Sequence, residues 1–185
     1  MSEDGPRPSA PRSVAVSALD VEVMRHDGAW TERDVSDASI ELAAQAAFTV
    51  SLPKRRACYE LTIVLTNDAE SRDLNRTWRN KDQPTNVLSF PAGDMPETAV
   101  LGDVVIAFET TAAEAADKVI SLADHVSHLV VHGTLHLLGH DHLDDAEAER
   151  MEDLERQALA SLGITDPYAD DMPARDGNAG LAEIA

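Results

Sequence analysis

Six of the seven histidines in the chain fall between His125 and His142. Four of them sit in one run, His132-Gly133-Thr134-Leu135-His136-Leu137-Leu138-Gly139-His140-Asp141-His142. Neutral imidazoles gathered in this way are the raw material of a metal site. The apolar residues among them, Leu129, Val130, Val131, Leu135, Leu137 and Leu138, predict a largely buried helix rather than a surface tract. On such a helix residues four apart stack on one face, so His132 and His136 can aim at a single ion. His125 and His128 lie on the same stripe. His128 is eight residues from His136, about 12 Å of rise at ~1.5 Å per residue, too far for three rings to converge on bonds of about 2 Å. The third ligand must therefore come from beyond the helix. Gly139 provides the turn, because glycine just past a helix end accepts the left-handed backbone that reverses the chain, and the reversal brings His142 round to the pair.

The resulting pattern, H-x-x-x-H-x-x-G-x-x-H, is the ligand spacing of the metzincin zinc proteases, with one departure. Where those enzymes carry the glutamate that acts as general base, this chain has Gly133. Three neutral histidines with a fourth position open is the arrangement of catalytic zinc, whereas structural zinc is usually closed by four ligands rich in cysteine. His132, His136 and His142 are thus the candidate ligands of one Zn2+ ion. His125 and His128 read as core residues or as groups behind the ligands. His140 could replace His142 or line the site. Asp141 could orient a ligand, activate water or shape the turn.

The elements that must position these groups belong to a chain of 185 residues with 43% hydrophobic content, enough for one domain with a proper core. Residues 18–165 are expected to form a single metal-dependent hydrolase domain. Residues 1–17 and 166–185, rich in Pro, Gly, Ser and charge, read as disordered tails. The N-terminus lacks the basic start and apolar run of a signal peptide, and no stretch approaches ~18 apolar residues, so a cytoplasmic protein with no membrane contact is expected. Cys58 stands alone, which leaves no internal disulfide and no cysteine metal site. The net charge of -19 argues against a nucleic-acid partner, since phosphate binding is driven by Lys and Arg. The distribution softens that objection: through Phe90 there are 11 Lys+Arg against 14 Asp+Glu, and from Pro91 onward 4 against 20.

Along the chain, Leu19 to Val23 alternates as a half-buried strand. Ser36 or Asp37 then caps a helix with Ile40, Ala43, Ala44 and Ala47 on one face. Lys54-Arg55-Arg56 is a basic cluster that reads as a solvated loop. Tyr59 to Leu65 is a second strand, and Asn67 or Asp68 opens a helix on which Arg72, Arg76 and Arg79 share a face. Pro84 and Pro91 bracket a short extended run, Val87 to Phe90, confined to a sheet edge. Leu101 to Ala107 reads as a buried strand. Thr111 with Glu114, Ser121 with Asp124, and Asp144 with Glu147 are three capping boxes. The last opens an acidic helix through Met151, Leu154 and Leu159 to Gly163, its Asp and Glu side chains facing solvent. This order predicts an α+β fold, a small mixed β-sheet packed with helices, with the first two strands joined by a parallel crossover and a metzincin-like zinc helix ending in a ligand turn. Arg79, last of the arginine row, is the candidate for clamping a phosphate at the mouth of the metal site.

Two passages, Arg79-Asn80-Lys81-Asp82-Gln83-Pro84-Thr85-Asn86-Val87-Leu88-Ser89-Phe90-Pro91 and His132 to His142, together resemble the YbeY family of bacterial endoribonucleases, also called rRNA maturation factors. That family shows R-x-K-D-x-P-T-(D/N)-V-L-S-F-P, then L-G-D-(I/V)-x-I, matched at Leu101, and H-G-x-L-H-L-x-G-(Y/H/x)-D-H. The likeness runs from about Leu19 to Ile164, and the common tyrosine of the last motif is His140 here. The resemblance implies a zinc-dependent, single-strand-specific endoribonuclease acting in 16S ribosomal RNA 3′-end maturation and ribosome quality control. It also implies His132, His136 and His142 on the metal, and Arg79 as the functional arginine with Lys81 beside it in substrate binding. Single-stranded ribosomal RNA, 30S or 70S particles and ribosome assembly factors would be the partners, with no role for DNA. The residues alone support a three-histidine hydrolytic site. They leave open a metallopeptidase, weakened by Gly133, and a ribosome-associated binding protein in which metal only braces the fold.

Overall fold

The computed structural model describes residues 17–51, 58–93, 99–142 and 144–169. The basic cluster at Lys54 to Arg56 and nearly all of both terminal tails lie outside them. Nine elements follow in order: β1 (Ala18–Arg25), α1 (Asp37–Ser51), β2 (Cys58–Thr66), α2 (Asp68–Arg79), β3 (Val87–Pro91), β4 (Val100–Ala107), α3 (Phe108–Asp117), α4 (Leu122–Leu137) and α5 (Asp145–Ser161). The fold is α+β. The four strands form one mixed sheet in the order β1-β2-β4-β3. β1 runs parallel to β2 and β2 to β4, so each pair needs a crossover, supplied by α1 in the first case. β3 is antiparallel to β4 and lies at the edge, where the N–H that Pro91 lacks is not needed.

The strand pattern divides the side chains between two faces. Leu61, Ile63 and Leu65 of β2, with Val104 and Ile106 of β4, enter the main core with α1, α4 and α5. Val64, Leu88 and Val105 point to the other face, where α2 covers them only in part. α4 is therefore central: the sheet lies on one side of it and α1 and α5 on the other. Val126, Val130, Val131 and Leu135 are all fully buried, each contributing about 1.5–3 kcal/mol of apolar burial. The seam left partly open on this helix is the stripe of His128, His132 and His136.

Helix starts are where sequence reading succeeds and fails instructively. The Ser121 and Asp144 side chains cap α4 and α5 by accepting from the N–H groups of Asp124 and Glu147, as expected. Asn67 caps α2. Thr111, however, caps nothing: α3 begins at Phe108, directly after β4, and Thr111 is buried in its interior. The cap comes from a different helix. Asp68 Oδ1 accepts from the Thr110 N–H at 3.1 Å, while Glu109 returns the favour to the Asp68 N–H at 2.8 Å. Two helix N-termini cap each other, a device no local window reveals.

The C-terminal boundary also moves. Asp166 to Ala169, assigned to the tail by composition, fold back on α5. The Tyr168 hydroxyl donates to Glu155, the Arg156 guanidinium lies 5.1 Å from the Tyr168 ring centre, and Arg156 Nε is 3.5 Å from Asp166. One aromatic anchor is enough to order a segment whose average composition reads as unstructured.

Candidate active site

α4 stops at Leu137, and the chain then turns through Gly139, whose φ of 90° belongs to the left-handed region that glycine tolerates. The turn delivers His142 opposite the end of the helix. One nitrogen from each of His132, His136 and His142 lies within 4.8 Å of the others. The Nε2 atoms of His132 and His136 are 3.1 Å apart, close to the ~3.3 Å that two ligands of a tetrahedral zinc ion keep at bonds of about 2.0–2.1 Å. His132 and His136 are half-buried and His142 is exposed, so the group faces solvent on one side.

The partners behind the rings decide what the converging atoms are. His132 Nδ1 donates to Glu155 Oε1 at 2.7 Å. His136 Nδ1 donates to the carbonyl oxygen of His140 at 3.1 Å. Neither acceptor can donate in return, so each Nδ1 carries the proton and each neutral ring presents a bare lone pair at Nε2. Two such lone pairs 3.1 Å apart repel unless a proton or a cation lies between them. His136 resists the proton: burial, then the positive charge its neighbours His132 and His142 would carry, push its pKa below the ordinary value of 6.5. The donor set fits a metal cation, and carboxylate or carbonyl support behind each ring is the usual way to fix such ligands.

Glu155 is the residue that sequence reading missed. The acidic run of α5 reads as solvent-facing, yet Glu155 is 1% exposed. It accepts from His132 at 2.7 Å, from His128 Nε2 at 3.1 Å and from the Tyr168 hydroxyl. Burial works to raise its pKa, but the hydrogen bonds from His128, His132 and Tyr168 outweigh it and hold the carboxyl far below the ordinary carboxylate range. The signal was present: Glu155 falls four residues after Met151 and four before Leu159, on the buried stripe of the helix. An acid in an apolar stripe needs a buried partner.

His128 therefore stands behind the site, bound to Glu155. His125 is a core residue, 1% exposed, with its Nε2 on Glu114 at 2.7 Å. The His140 ring is hydrogen-bonded to the Ser51 hydroxyl at 2.9 Å and is not among the converging histidines, and its carbonyl accepts from His136. Asp141 shapes the turn, its Oδ1 accepting from the His142 N–H at 2.8 Å and lying 3.9 Å from His136 Nδ1.

The three histidines line a cleft of about 420 Å³ with Arg79, Val87, Ser89, Pro91, Gly139, His140 and Asp141. Arg72 and Arg76 share its helix face, yet they are spent on Asp82 and Asp73, Arg72 as a two-pronged pair at 2.7 and 3.0 Å. Those pairs pin the loop that follows α2. Arg79 pairs with no described residue and faces the cleft. Lys81 is exposed and is not among the residues brought to the cleft wall.

Gly133 answers the peptidase question. A Cβ at this position would meet Val104 Cγ1 at 2.7 Å and Ser89 Oγ at 3.1 Å. α4 lies against β3 and β4 at this point, and a glutamate at position 133 has nowhere to stand. The general base of the metzincin pattern is replaced by a helix-to-sheet contact.

Comparison with known proteins agrees with the two motifs. A family model described as Endoribonuclease YbeY matches residues 27–163. The Endoribonuclease YbeY of Parvibaculum lavamentivorans is 47% identical over a 190-residue alignment covering 95% of this chain and 100% of that protein. The Endoribonuclease YbeY of Paramagnetospirillum magneticum is 55% identical over 151 residues, 77% of this chain and 91% of the relative. The solution structure of TM1509 from Thermotoga maritima shares the fold at a TM-score of 0.52 and 15% identity, covering 86% of this chain and 100% of that one. The family match spans Arg79, the three converging histidines and Glu155 alike, and the chain belongs to the YbeY endoribonuclease family.

Proposed function

We propose that this enzyme is a zinc-dependent endoribonuclease specific for single-stranded RNA, with His132, His136 and His142 holding one Zn2+ ion. The observation that carries the metal is the pair of bare Nε2 atoms 3.1 Å apart, each backed by an acceptor at Nδ1. An all-imidazole set of three with solvent on the fourth side suits catalytic zinc. Zinc in this place supplies Lewis acidity and lowers the pKa of water toward ~7.

The chain's own groups do the remaining work. Arg79, free of competing carboxylates among the described residues, donates paired hydrogen bonds to the phosphate and offsets the charge that grows on it during cleavage. Glu155 and the His140 carbonyl hold the His132 and His136 rings in register. No carboxylate base stands at position 133, and RNA cleavage leaves two candidate nucleophiles, water and the RNA 2′-hydroxyl. A cyclic phosphate at the product end identifies the second. Family membership supports 16S ribosomal RNA 3′-end maturation and ribosome quality control in the cytoplasm as the role, with ribosomal particles as the setting. No helix among the described residues is long and apolar enough to cross a membrane.

Metal analysis of the purified protein, paired with cleavage of a ribosomal RNA precursor before and after chelation, tests the reading. Zinc at one ion per chain and loss of cleavage on chelation are expected. His136→Ala should lose both metal and activity; undiminished cleavage by metal-free His136→Ala refutes the site.

A further inference from the structure

The molecule has few aromatic residues, 4% of the chain, and leaves one of them conspicuously in solvent. Trp78 is 69% exposed, whereas Trp30 is 3% exposed and donates its indole N–H to the Thr66 carbonyl. Trp78 is the residue before Arg79 on the last turn of α2, and successive helix positions point about 100° apart. Arg79 faces the histidine cleft, and Trp78 faces a second groove of about 490 Å³ with Leu74, Val64, Val105 and Phe90. Trp78 and Phe90 meet edge to face, ring centres 6.1 Å apart.

The strand β3 divides the two cavities and serves both. Val87 and Ser89 line the histidine cleft, Phe90 lines the groove, and Pro91 at the strand end lines both. A chain that passes over Pro91 can therefore touch both without a break. The groove is apolar along Trp78, Leu74, Phe90 and Val105, but its rim carries His26, Glu70 and Asp103. Glu70 and Asp103 repel a phosphate, so the phosphate belongs on the Arg79 side and the apolar, flat part of the ligand belongs in the groove. A nucleobase next to a phosphate has that combination, and aromatic platforms bind bases of any sequence through their π-faces.

We infer that Trp78 and Phe90 form a stacking site for the base of the nucleotide adjoining the scissile phosphate of single-stranded RNA. This rests on the ribonuclease reading above. It also gives single-strand preference a physical basis, since a base held in a duplex cannot leave its stack to reach the groove.

Two measurements test it. In chelated protein, which holds no metal to cleave with, titration with a single-stranded oligoribonucleotide should quench tryptophan fluorescence. Trp78→Leu should remove that quenching, leaving only the buried Trp30 signal. In zinc-loaded protein Trp78→Leu should raise KM about tenfold, in the range expected for loss of one base-aromatic stack, while metal content and kcat hold and Trp78→Phe recovers most of the binding. A substrate whose cleavage position has been mapped, with the base on one side or the other replaced by an abasic ribose, should lose as much with the native protein at one of the two positions. It should lose nothing further with Trp78→Leu. Equal KM for Trp78→Leu, or full native affinity for both abasic substrates, overturns the stacking site while leaving the ribonuclease intact. Failure of the native zinc protein to cut any RNA overturns the ribonuclease reading instead.

Discussion

Two carboxylates reach the histidines of α4 from different helices. Glu114 on α3 accepts from His125 at 2.7 Å, and Glu155 on α5 accepts from His132 at 2.7 Å. The bonds are equal in length and opposite in consequence. Glu114 takes Nε2, the far nitrogen of His125, and leaves Nδ1 buried without a partner among the described residues. Glu155 takes Nδ1, the near nitrogen of His132, and leaves Nε2 looking into the cleft toward its counterpart on His136. The first pair is a strut: Glu114 also accepts from Asn86 Nδ2 at 2.9 Å, tying α4 to the loop that follows Arg79. The second is half of the candidate metal site. Residue type and spacing nominate a histidine, and the nitrogen its carboxylate occupies decides whether it can act as a ligand.

The contrast breaks most visibly at the two acids. Glu155→Gln keeps the shape but removes a charge that three donors share, so metal affinity should fall about 10–100-fold, as when a ligand's backing group is lost. Stability should fall by about 3 kcal/mol, the upper range for losing hydrogen bonds to a charged acceptor. Glu114→Gln should leave metal affinity unchanged. Chelator competition and urea unfolding measure both quantities. Equal loss of metal in the two variants would erase the distinction between strut and site.

A smaller effect is expected at the strut itself. His125→Leu removes one hydrogen bond to a carboxylate, and about 2 kcal/mol of stability should go with it, with zinc content intact. It should also change how stability depends on pH. Burial, opposed by the Glu114 bond, holds the His125 pKa below the ordinary 6.5. As pH falls below 6.5 the unfolded chain takes the proton before the folded one, so His125 lowers stability progressively until pH passes its folded pKa, and has no effect above 6.5. His136 and His140 shift the same way. The difference between native and His125→Leu protein in chelator, from about pH 7.5 down to about pH 5, therefore isolates the His125 share. Parallel urea profiles would contradict it. Glu155 acts in a separate window, its support being lost only below about 4.5, as pH falls toward its depressed folded value.

How much of this could be read in advance follows from how local each cause is. The histidine triad was legible because its geometry is set by one helix and one glycine turn, Gly139 at φ 90°. The edge position of β3 was legible from Pro84 and Pro91, and the parallel crossover from the spacing of strands and helices. What escaped depends on contact between distant segments. Asp68 capping α3, Glu155 reaching His132 from 23 residues away, and Tyr168 closing over Glu155 are set by packing. Gly133 was legible only as a missing base; its positive reason, the 2.7 Å approach to Val104, needed the sheet in place. Arg72, Arg76 and Arg79 read as one row until Asp82 separated the first two from the third.

The smallest expected effect sharpens the comparison from the chain's end. The Tyr168 hydroxyl is the third donor to Glu155, beside His128 and His132. Burial, then the bond to Glu155, raises its pKa above the ordinary 10.0, so it remains a donor throughout the pH range in which the protein works. Tyr168→Phe leaves the ring, and with it the Arg156 contact, and deletes only the hydroxyl. About 1–2 kcal/mol of stability should be lost, as for one hydrogen bond to a charged acceptor. Metal affinity should fall less than in Glu155→Gln, because the two histidine donors still hold the carboxylate in place. Among the described residues His125 and Glu114 have no such donor from the C-terminal segment, so His125→Leu combined with Tyr168→Phe should show additive losses in unfolding free energy. Tyr168→Phe combined with His128→Phe should not be additive, because both act on the same Glu155 oxygen. Additivity in that second pair would mean that the segment from Asp166 to Ala169 supports α5 without supporting the metal ligands, and that Glu155 needs only its histidines.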